Sequence, residues 1–229
     1  MHDIRKTFLN FIKLFIGLFL CALGIVMTIN ANLGLAPWDV FHKGISNILG
    51  TTIGQSNIII GVFIVILDSL LGEKIGWGTL CNMFFVGIFM DFITSTSLIS
   101  VMDTFTQGVI MILVGMFISG VASYLYISSG MGAGPRDGLM VALVKKTNKS
   151  VRFVRNSIEI SVLTVGYVLG GFAGIGTLII SLGMGYFVQL AFKIFKFDVK
   201  KVKHRLIVDD IKALKRKLLR TQLSDKKES

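Results

Sequence analysis

Long apolar stretches, separated by short polar or glycine-rich connections, make up most of this chain. Each stretch approaches the roughly 17–25 residues that a helix needs to cross the hydrocarbon core of a bilayer. Charged residues are scarce inside the stretches and concentrated between them. The pattern predicts an all-α polytopic membrane protein with six transmembrane helices, over residues 8–29, 57–72, 75–93, 107–128, 155–172 and 174–195.

Two shorter segments interrupt this pattern, and each carries the motif Gly-x-x-Pro-x-Asp. The two copies are formed by Gly34, Pro37 and Asp39, and by Gly132, Pro135 and Asp137. Proline is favoured at the first position of a helix and an acidic residue in its first turn. Each motif is therefore expected to start a short helix, running to about Leu49 and Lys146. At 1.5 Å per residue such helices reach roughly 15–20 Å, about half of the hydrocarbon thickness, so re-entrant and interfacial positions both fit.

The two motifs belong to an internal repeat. A shift of 98 residues superimposes them without a gap and gives fifteen identities in the seventy-nine pairs from Phe15 to Ile93. The same shift aligns the pattern G-x-x-x-G-x-G-T-L starting at Gly72 with the one starting at Gly170. Because each repeat holds three spans, the second copy must enter the membrane upside down. The sequence thus predicts two inverted three-helix repeats, over about 8–93 and 107–195, an architecture common in secondary transporters.

Composition and charge support this class and suggest an orientation. Only 16% of the residues are charged, whereas a soluble domain carries about 25%. If the N-terminus is cytoplasmic, Lys43 is the only one of the 24 basic residues that falls outside. Basic residues concentrate in cytoplasmic connections, so both termini are expected to be cytoplasmic. The first motif then lies toward the outside and the second toward the inside.

The C-terminal residues 197–229 form a basic tail, distinct from the transmembrane domain over 1–196. From Lys196 onward the chain has twelve basic and five acidic residues. An amphipathic helical pattern begins near Asp209, and a basic helix of this kind is typical of contact with anionic lipid. Nucleic acid is not an expected partner, because no base-reading motif accompanies the charge.

The repeated motifs are also the main candidates for function. In the simpler interpretation the two aspartates only favour the helix starts. In the other, both helix starts line a solute site, because half-helix N-termini and unwound backbone often do so in transporters. Trp38 and Arg136 share one repeat position, so the half-sites would differ, one aromatic and one cationic. The candidate substrate-binding residues are Gly34, Pro37, Trp38, Asp39, Gly132, Pro135, Arg136 and Asp137.

Other polar residues in the spans are secondary candidates, since ionisable groups inside a membrane are often functional. They are Asp68, Asp91 and Glu159. Arg155 is placed to pair with Glu159 at a spacing of four residues, and His42, beside Lys43, is expected to face solvent. No metalloprotease, serine-hydrolase or P-loop motif is present, so we expect neither an enzyme nor a bound metal or cofactor.

The apolar spans, the stretch N-x-G-x-x-P-W-D from Asn32, the G-x-G-T-L from Gly76 and the second G-P-x-D resemble the YczE/YyaS/YitT family of bacterial integral membrane proteins. The resemblance covers about residues 8–195. Members of the YitT branch commonly carry a soluble C-terminal domain, whereas this chain has only the basic tail and looks more like the YczE branch. The resemblance implies a bacterial plasma-membrane location but no substrate.

Two functions remain open at this point. The inverted repeat favours a transporter or permease for a small solute, with a site between the repeats. The alternative is a membrane scaffold or regulatory subunit that moves no solute and contacts another complex through the tail.

Overall fold

The computed structural model describes residues 4–132 and 134–198, together with residues 202, 206 and 207. Eight α-helices make up most of these residues, and no strand occurs among them. The helices are α1 (Ile4–Asn30), α2 (Pro37–Leu49), α3 (Ile53–Leu70), α4 (Trp77–Ser95), α5 (Phe105–Ser128), α6 (Pro135–Thr147), α7 (Val151–Val168) and α8 (Ile175–Ile194). Five of them, α1, α3, α4, α5 and α8, are long and apolar enough to cross a membrane. The chain is thus an all-α, multi-pass membrane protein.

The helices α3 and α7 differ most from the predicted spans, since both start four residues before the positions 57 and 155 read from the sequence. Thr52 and Ser150 cap these helices, accepting hydrogen bonds from the N–H groups of Gln55 and Phe153. The first turn of α3 contains Gln55 and Ser56, and that of α7 contains Arg152, so the apolar stretches were taken to start after them. α7 carries two arginines and a glutamate and is not among the five candidate spans.

The short helices α2 and α6 begin at the prolines of the two motifs, as predicted, and have 13 residues each. Pro37 and Pro135 are buried, whereas the last residues of both helices are exposed. Each helix ends at a residue in the left-handed conformation, Gly50 with φ 65° and Asn148 with φ 53°. Both helices therefore run from the interior of the protein to its surface.

Packing between the helices joins the first four to the last four. α1 lies against α4 and α5, and α5 also contacts α8. The short helices cross over between the halves, because α2 packs on α7 and α6 packs on α3. The main apolar core lies between α1 and α4, where Leu14, Leu18 and Val26 meet Val86 and Met90. This arrangement places the starts of α2 and α6 near the middle of the helix assembly.

The segments that precede α2 and α6 make matching backbone contacts with the opposite half. The N–H of Gly176 donates to the carbonyl oxygen of Leu33 at 2.7 Å, and the N–H of Gly78 donates to that of Met131 at 2.6 Å. Leu33 and Met131 are related by the 98-residue shift, and so are Gly78 and Gly176. The two contacts therefore join equivalent parts of the repeat.

The glycine of each motif lies where these segments turn. Gly34 has φ 118° and Gly132 has φ 130°, conformations that L side chains rarely adopt. A Cβ atom on Gly34 would lie 2.5 Å from the backbone nitrogen of Gly174, and one on Gly132 would lie 3.0 Å from the Cα atom of Gly76. The turn and the close approach both require glycine.

Part of the tail contacts the connection between α3 and α4. The N–H of Ile207 donates to the carbonyl oxygen of Ile75 at 3.1 Å, and Leu206 forms an isolated antiparallel bridge with Gly76. The amphipathic helix expected from Asp209 lies outside the described residues.

Candidate functional site

A cavity of about 230 Å³ lies between the starts of α2 and α6, and every helix except α8 contributes to its lining. Ile25, Ile64, Val86 and Met140 give it apolar walls. Its volume is below the roughly 300–1,000 Å³ of pockets that hold drug-sized ligands. The cavity therefore fits a small solute.

Arg136, the cation of the second motif, faces this cavity from the first turn of α6. Its guanidinium lies over the ring of Trp38, with Cζ 4.8 Å from the ring centroid, and its Nη2 donates to Oδ1 of Asn57 at 3.2 Å. Cation–π contact of this kind contributes about 0.5–2 kcal/mol. Within the described part of the chain no carboxylate lies within 4.0 Å of Arg136. The two residues that share one repeat position thus meet in one site, and the cation has only neutral partners.

Asp137, the next residue, has a different partner. The hydroxyl of Tyr126 on α5 donates to its Oδ2 at 3.2 Å. The N-cap residue of α6 is Gly134, and no side chain makes a cap hydrogen bond there. Asp137 therefore faces the cavity beside Arg136 without closing the helix start by a hydrogen bond.

The aspartate of the first motif lies just behind the cavity lining. Oδ1 of Asp39 is 3.5 Å from Nδ1 of His42, and the two side chains are 4% and 1% exposed. Neither atom has a partner of hydrogen-bond geometry among the described residues. His42 itself lines the cavity, so the expectation that it faces solvent is wrong. The reason is that α2 starts in the interior of the protein, so its first turns, including His42, are buried and only its last residues are exposed.

An ion pair closes another part of the cavity wall. Nε of Arg155 is 3.1 Å from Oε1 of Glu159, which confirms the pairing expected from their spacing along α7. Both residues line the cavity. Their opposite charges compensate each other locally.

The remaining motif residues shape the site from outside it. Trp38, Pro135, Arg136 and Asp137 line the cavity, whereas Gly34, Pro37, Asp39 and Gly132 do not. The two glycines position the short helices through the contacts described above. Pro37 starts α2.

Two of the secondary candidates lie elsewhere. Asp91 accepts hydrogen bonds from the Thr52 hydroxyl at 2.6 Å and from the Gly54 N–H at 3.1 Å, so it stabilises the start of α3. Asp91 also borders a second, more open cavity of about 690 Å³ that includes Lys43. Asp68 is 3% exposed and lies against Gly138 of α6 rather than reaching solvent.

His42, Tyr126 and Cys21 are three of the lining residues that were not selected as candidates from the sequence. A signal for His42 was available, because it follows Trp38 by four residues and so lies on the same helix face. Tyr126 and Cys21 lie inside apolar spans with no pattern to mark them. Within the described part of the chain, no three His, Cys, Asp or Glu side chains are grouped so that they could hold a metal ion.

A polar, charge-bearing cavity at the centre of a multi-pass helical assembly places this chain among integral membrane proteins with an internal site. The chain belongs to the family of unknown function DUF6198, whose model matches residues 8–193. The predicted resemblance to the YczE/YyaS family is thereby confirmed.

Three bacterial relatives cover most of the chain. It is 36% identical over 181 residues to the uncharacterized membrane protein YczE of Bacillus subtilis. The aligned region covers 77% of this chain and 82% of YczE. The chain is 32% identical over 176 residues to an uncharacterized protein of Haemophilus influenzae, with 77% and 80% covered. The uncharacterized protein YyaS of Bacillus subtilis is 27% identical over 169 residues, with 72% and 83% covered. No solved structure matches the chain.

Proposed function

We propose that this protein is a transporter or permease for a small solute in the bacterial plasma membrane, and that the central cavity is its binding site. The observation that carries the proposal is the position of Arg136 and Asp137. Both face an internal cavity, and among the described residues neither forms an ion pair within 4.0 Å. Charged side chains at the centre of a membrane helix cost about 2.5–3.5 kcal/mol on insertion scales and usually mark solute or ion paths.

The proposed architecture is an inverted repeat, with α1–α4 and α5–α8 as its halves and α7 as the sixth span. At 1.5 Å per residue the 18 residues of α7 reach about 27 Å, close to the hydrocarbon thickness. The equal lengths of α2 and α6 and their reciprocal packing, α2 on α7 and α6 on α3, support this relation. Sites at the interface of such repeats, near broken or short helices, are typical of secondary transporters.

The proposed orientation places both termini in the cytoplasm. The connection between α6 and α7 contains Lys149 and follows Lys145 and Lys146, whereas the connection between α2 and α3 has no basic residue. The positive-inside rule then assigns the connection between α6 and α7 to the inside. α2 and α6 would enter as re-entrant half-helices from opposite sides, which agrees with their buried starts and exposed ends.

Uptake into liposomes tests this function directly. Purified full-length protein would be reconstituted and offered a defined mixture of amino acids, organic acids, amines, sugars and nucleosides, with the vesicle contents read by mass spectrometry. We expect at least one component to enter above empty vesicles, and Arg136→Gln to abolish that entry. Arg152→Gln, on an exposed part of α7 outside the cavity, is the matched control and should retain it. No uptake by correctly folded protein would favour the scaffold or regulatory alternative.

A further inference from the structure

The charges in the cavity wall do not all compensate one another. Four residues of fixed charge type line it: Arg136, Asp137, Arg155 and Glu159. The last two form an ion pair at 3.1 Å. One cation and one carboxylate, Arg136 and Asp137, form no ion pair within 4.0 Å among the described residues.

These two residues are neighbours in sequence, yet their side chains are held apart. The Trp38 ring and the Asn57 amide hold the guanidinium of Arg136, while the Tyr126 hydroxyl holds the carboxylate of Asp137. Neutral partners leave both charges in need of a counter-charge, because burial without one is costly. The empty cavity thus presents a separated positive and negative group.

The start of α6 strengthens the positive end of this arrangement. Gly134 and Pro135 line the cavity, and no side chain caps the helix there. The N-terminus of a helix carries a partial positive charge, which favours an anionic group. Arg136 and the helix start therefore form one anion-binding end.

The rest of the wall is suited to an apolar body. Ile25, Ile64, Val86 and Met140 lie around the volume of about 230 Å³, which leaves room beyond the two charged groups. His42, 1% exposed and with Nδ1 unpartnered among the described residues, adds one more polar group to the lining.

We propose that the cavity binds a small zwitterion. Its anionic group lies on Arg136 and the start of α6, its cationic group on Asp137, and its apolar part against the aliphatic wall. This inference rests on the proposed function in that it names the solute class of the same site. A solute with charge of only one sign would leave Arg136 or Asp137 uncompensated.

Matched probes test the assignment on the detergent-purified full chain. Alanine, leucine and phenylalanine are compared with their analogues lacking the ammonium group (propionate, 4-methylpentanoate, 3-phenylpropionate) and lacking the carboxylate (ethylamine, 3-methylbutylamine, 2-phenylethylamine). Affinity is measured by calorimetry, with thermal stabilisation as the second readout. We expect at least one zwitterion to bind at least about tenfold more tightly than both of its analogues, since each lost charged hydrogen bond is worth more than one decade.

Two variants give opposite shifts that unfolding would not imitate. Asp137→Asn should remove the demand for an ammonium group, so that the carboxylate analogue binds as tightly as its zwitterion. Arg136→Gln should instead equalise the amine and the zwitterion. Arg152→Gln, exposed and outside the cavity, should leave the wild-type order unchanged.

Failure of this assignment is distinct from failure of transport. If none of the nine probes binds to the wild-type protein, or if none of the three zwitterions binds more tightly than both of its analogues, the zwitterion assignment is overturned. Zwitterion binding without uptake into liposomes would support the assignment and reject the transporter. Uptake of only an anion or only an amine would support the transporter and reject the zwitterion assignment.

Discussion

At the scale of single residues, the repeated aspartates have the same position in sequence and different chemical surroundings. Asp39 lies 3.5 Å from His42 in an enclosed pair, whereas Asp137 accepts a hydrogen bond from Tyr126 at the cavity. The N-cap residues of α2 and α6 are Ala36 and Gly134, and neither helix start has a side-chain cap hydrogen bond. What remains of the capping interpretation is the favourable position of an acidic residue in the first turn of a helix.

Replacing these aspartates separates a helix-start role from a role in the solute path. Asp137→Asn should abolish uptake, because the cavity loses its uncompensated carboxylate, while the melting temperature stays near that of the wild type. Asp39→Asn should also leave the fold intact, since asparagine has the same size and a charge in the first turn of a helix contributes only about 0.3–1 kcal/mol. Uptake and thermal unfolding are measured on the same preparations. Asp103→Asn, at an exposed position, is the control. Full uptake by both motif variants would show that the two aspartates serve only the fold and not the solute path.

Much of the site could be read from the sequence because the repeat aligns it. The 98-residue shift places Trp38 on Arg136, and the structure brings these two side chains together. His42 was missed because Lys43 beside it indicated a position that faces solvent. Tyr126 could not be found, since its contact with Asp137 depends on how α5 packs, which no local pattern records.

At the scale of elements, the prolines located the starts of two helices that hydropathy alone does not locate. The starts of α2 and α6 were predicted to the residue, because proline at the first helical position leaves no donor unsatisfied. The starts of α1, α3 and α7 were each missed by four residues, because polar or charged residues in their first turns were taken to lie before the apolar stretch. Periodicity and hydropathy therefore locate helices, and capping residues locate their ends.

The equivalent helices α4 and α8 differ in how closely they are packed. A Cβ atom on Gly87 of α4 would lie 2.4 Å from the carbonyl oxygen of Gly54 on α3. At the repeat-related position in α8, a Cβ atom on Gly185 would have no atom within 4 Å among those of the described residues. The contact between α3 and α4 is thus close where the equivalent position on α8 is open.

This difference gives a matched pair of substitutions. Gly87→Ala should destabilise the protein by about 1–3 kcal/mol, because the added methyl group meets backbone that cannot move without separating α3 from α4. Gly185→Ala should be neutral or stabilising by up to about 1 kcal/mol, since alanine is the better helix former. Thermal unfolding of both variants in one detergent compares them. Equal destabilisation would contradict the packing difference.

At the scale of the whole molecule, the tail is connected to the transmembrane part by few described contacts. The hydrogen bond from Ile207 to Ile75 and the bridge between Leu206 and Gly76 lie on the connection between α3 and α4. The basic residues before Asp198 and in the connection after α6 are retained when the tail is removed. In the proposed orientation we therefore expect that the tail is not needed to set it.

Truncation after Asp198 should leave an inserted, folded protein that still takes up its solute. The cut keeps Phe197, whose ring packs on Tyr124 and Phe192 at centroid distances of 5.2 Å in both pairs. Membrane fractionation, thermal unfolding and liposome uptake compare the short chain with the full one. Retained uptake together with lost activity in cells would mark the tail as regulatory, through anionic lipid or another protein. Loss of insertion would instead show that the tail is structural.

The transport proposal depends on the proposed opposite orientation of the two halves. Ile48 and Lys146 are repeat-related positions near the exposed ends of α2 and α6. In a chain with Cys21 and Cys81 replaced by serine, a single cysteine at Ile48 should react with a membrane-impermeant maleimide on intact cells. A cysteine at Lys146 should react only after permeabilisation, because the basic connection that follows α6 stays inside.

The same two variants carry their own control, since each serves as the other's reference for expression and for thiol reactivity after permeabilisation. Ile48 is 60% exposed and Lys146 is also exposed, so both thiols are open to the reagent in the folded protein. Labelling of both from one side would mean that α2 and α6 leave the membrane on the same face. The halves would then not be inverted, and the cavity between their short helices would have no route that alternates between the two sides. Labelling from opposite sides would place Arg136 and Asp137 between two oppositely directed half-helices, where a solute can be reached from either face in turn.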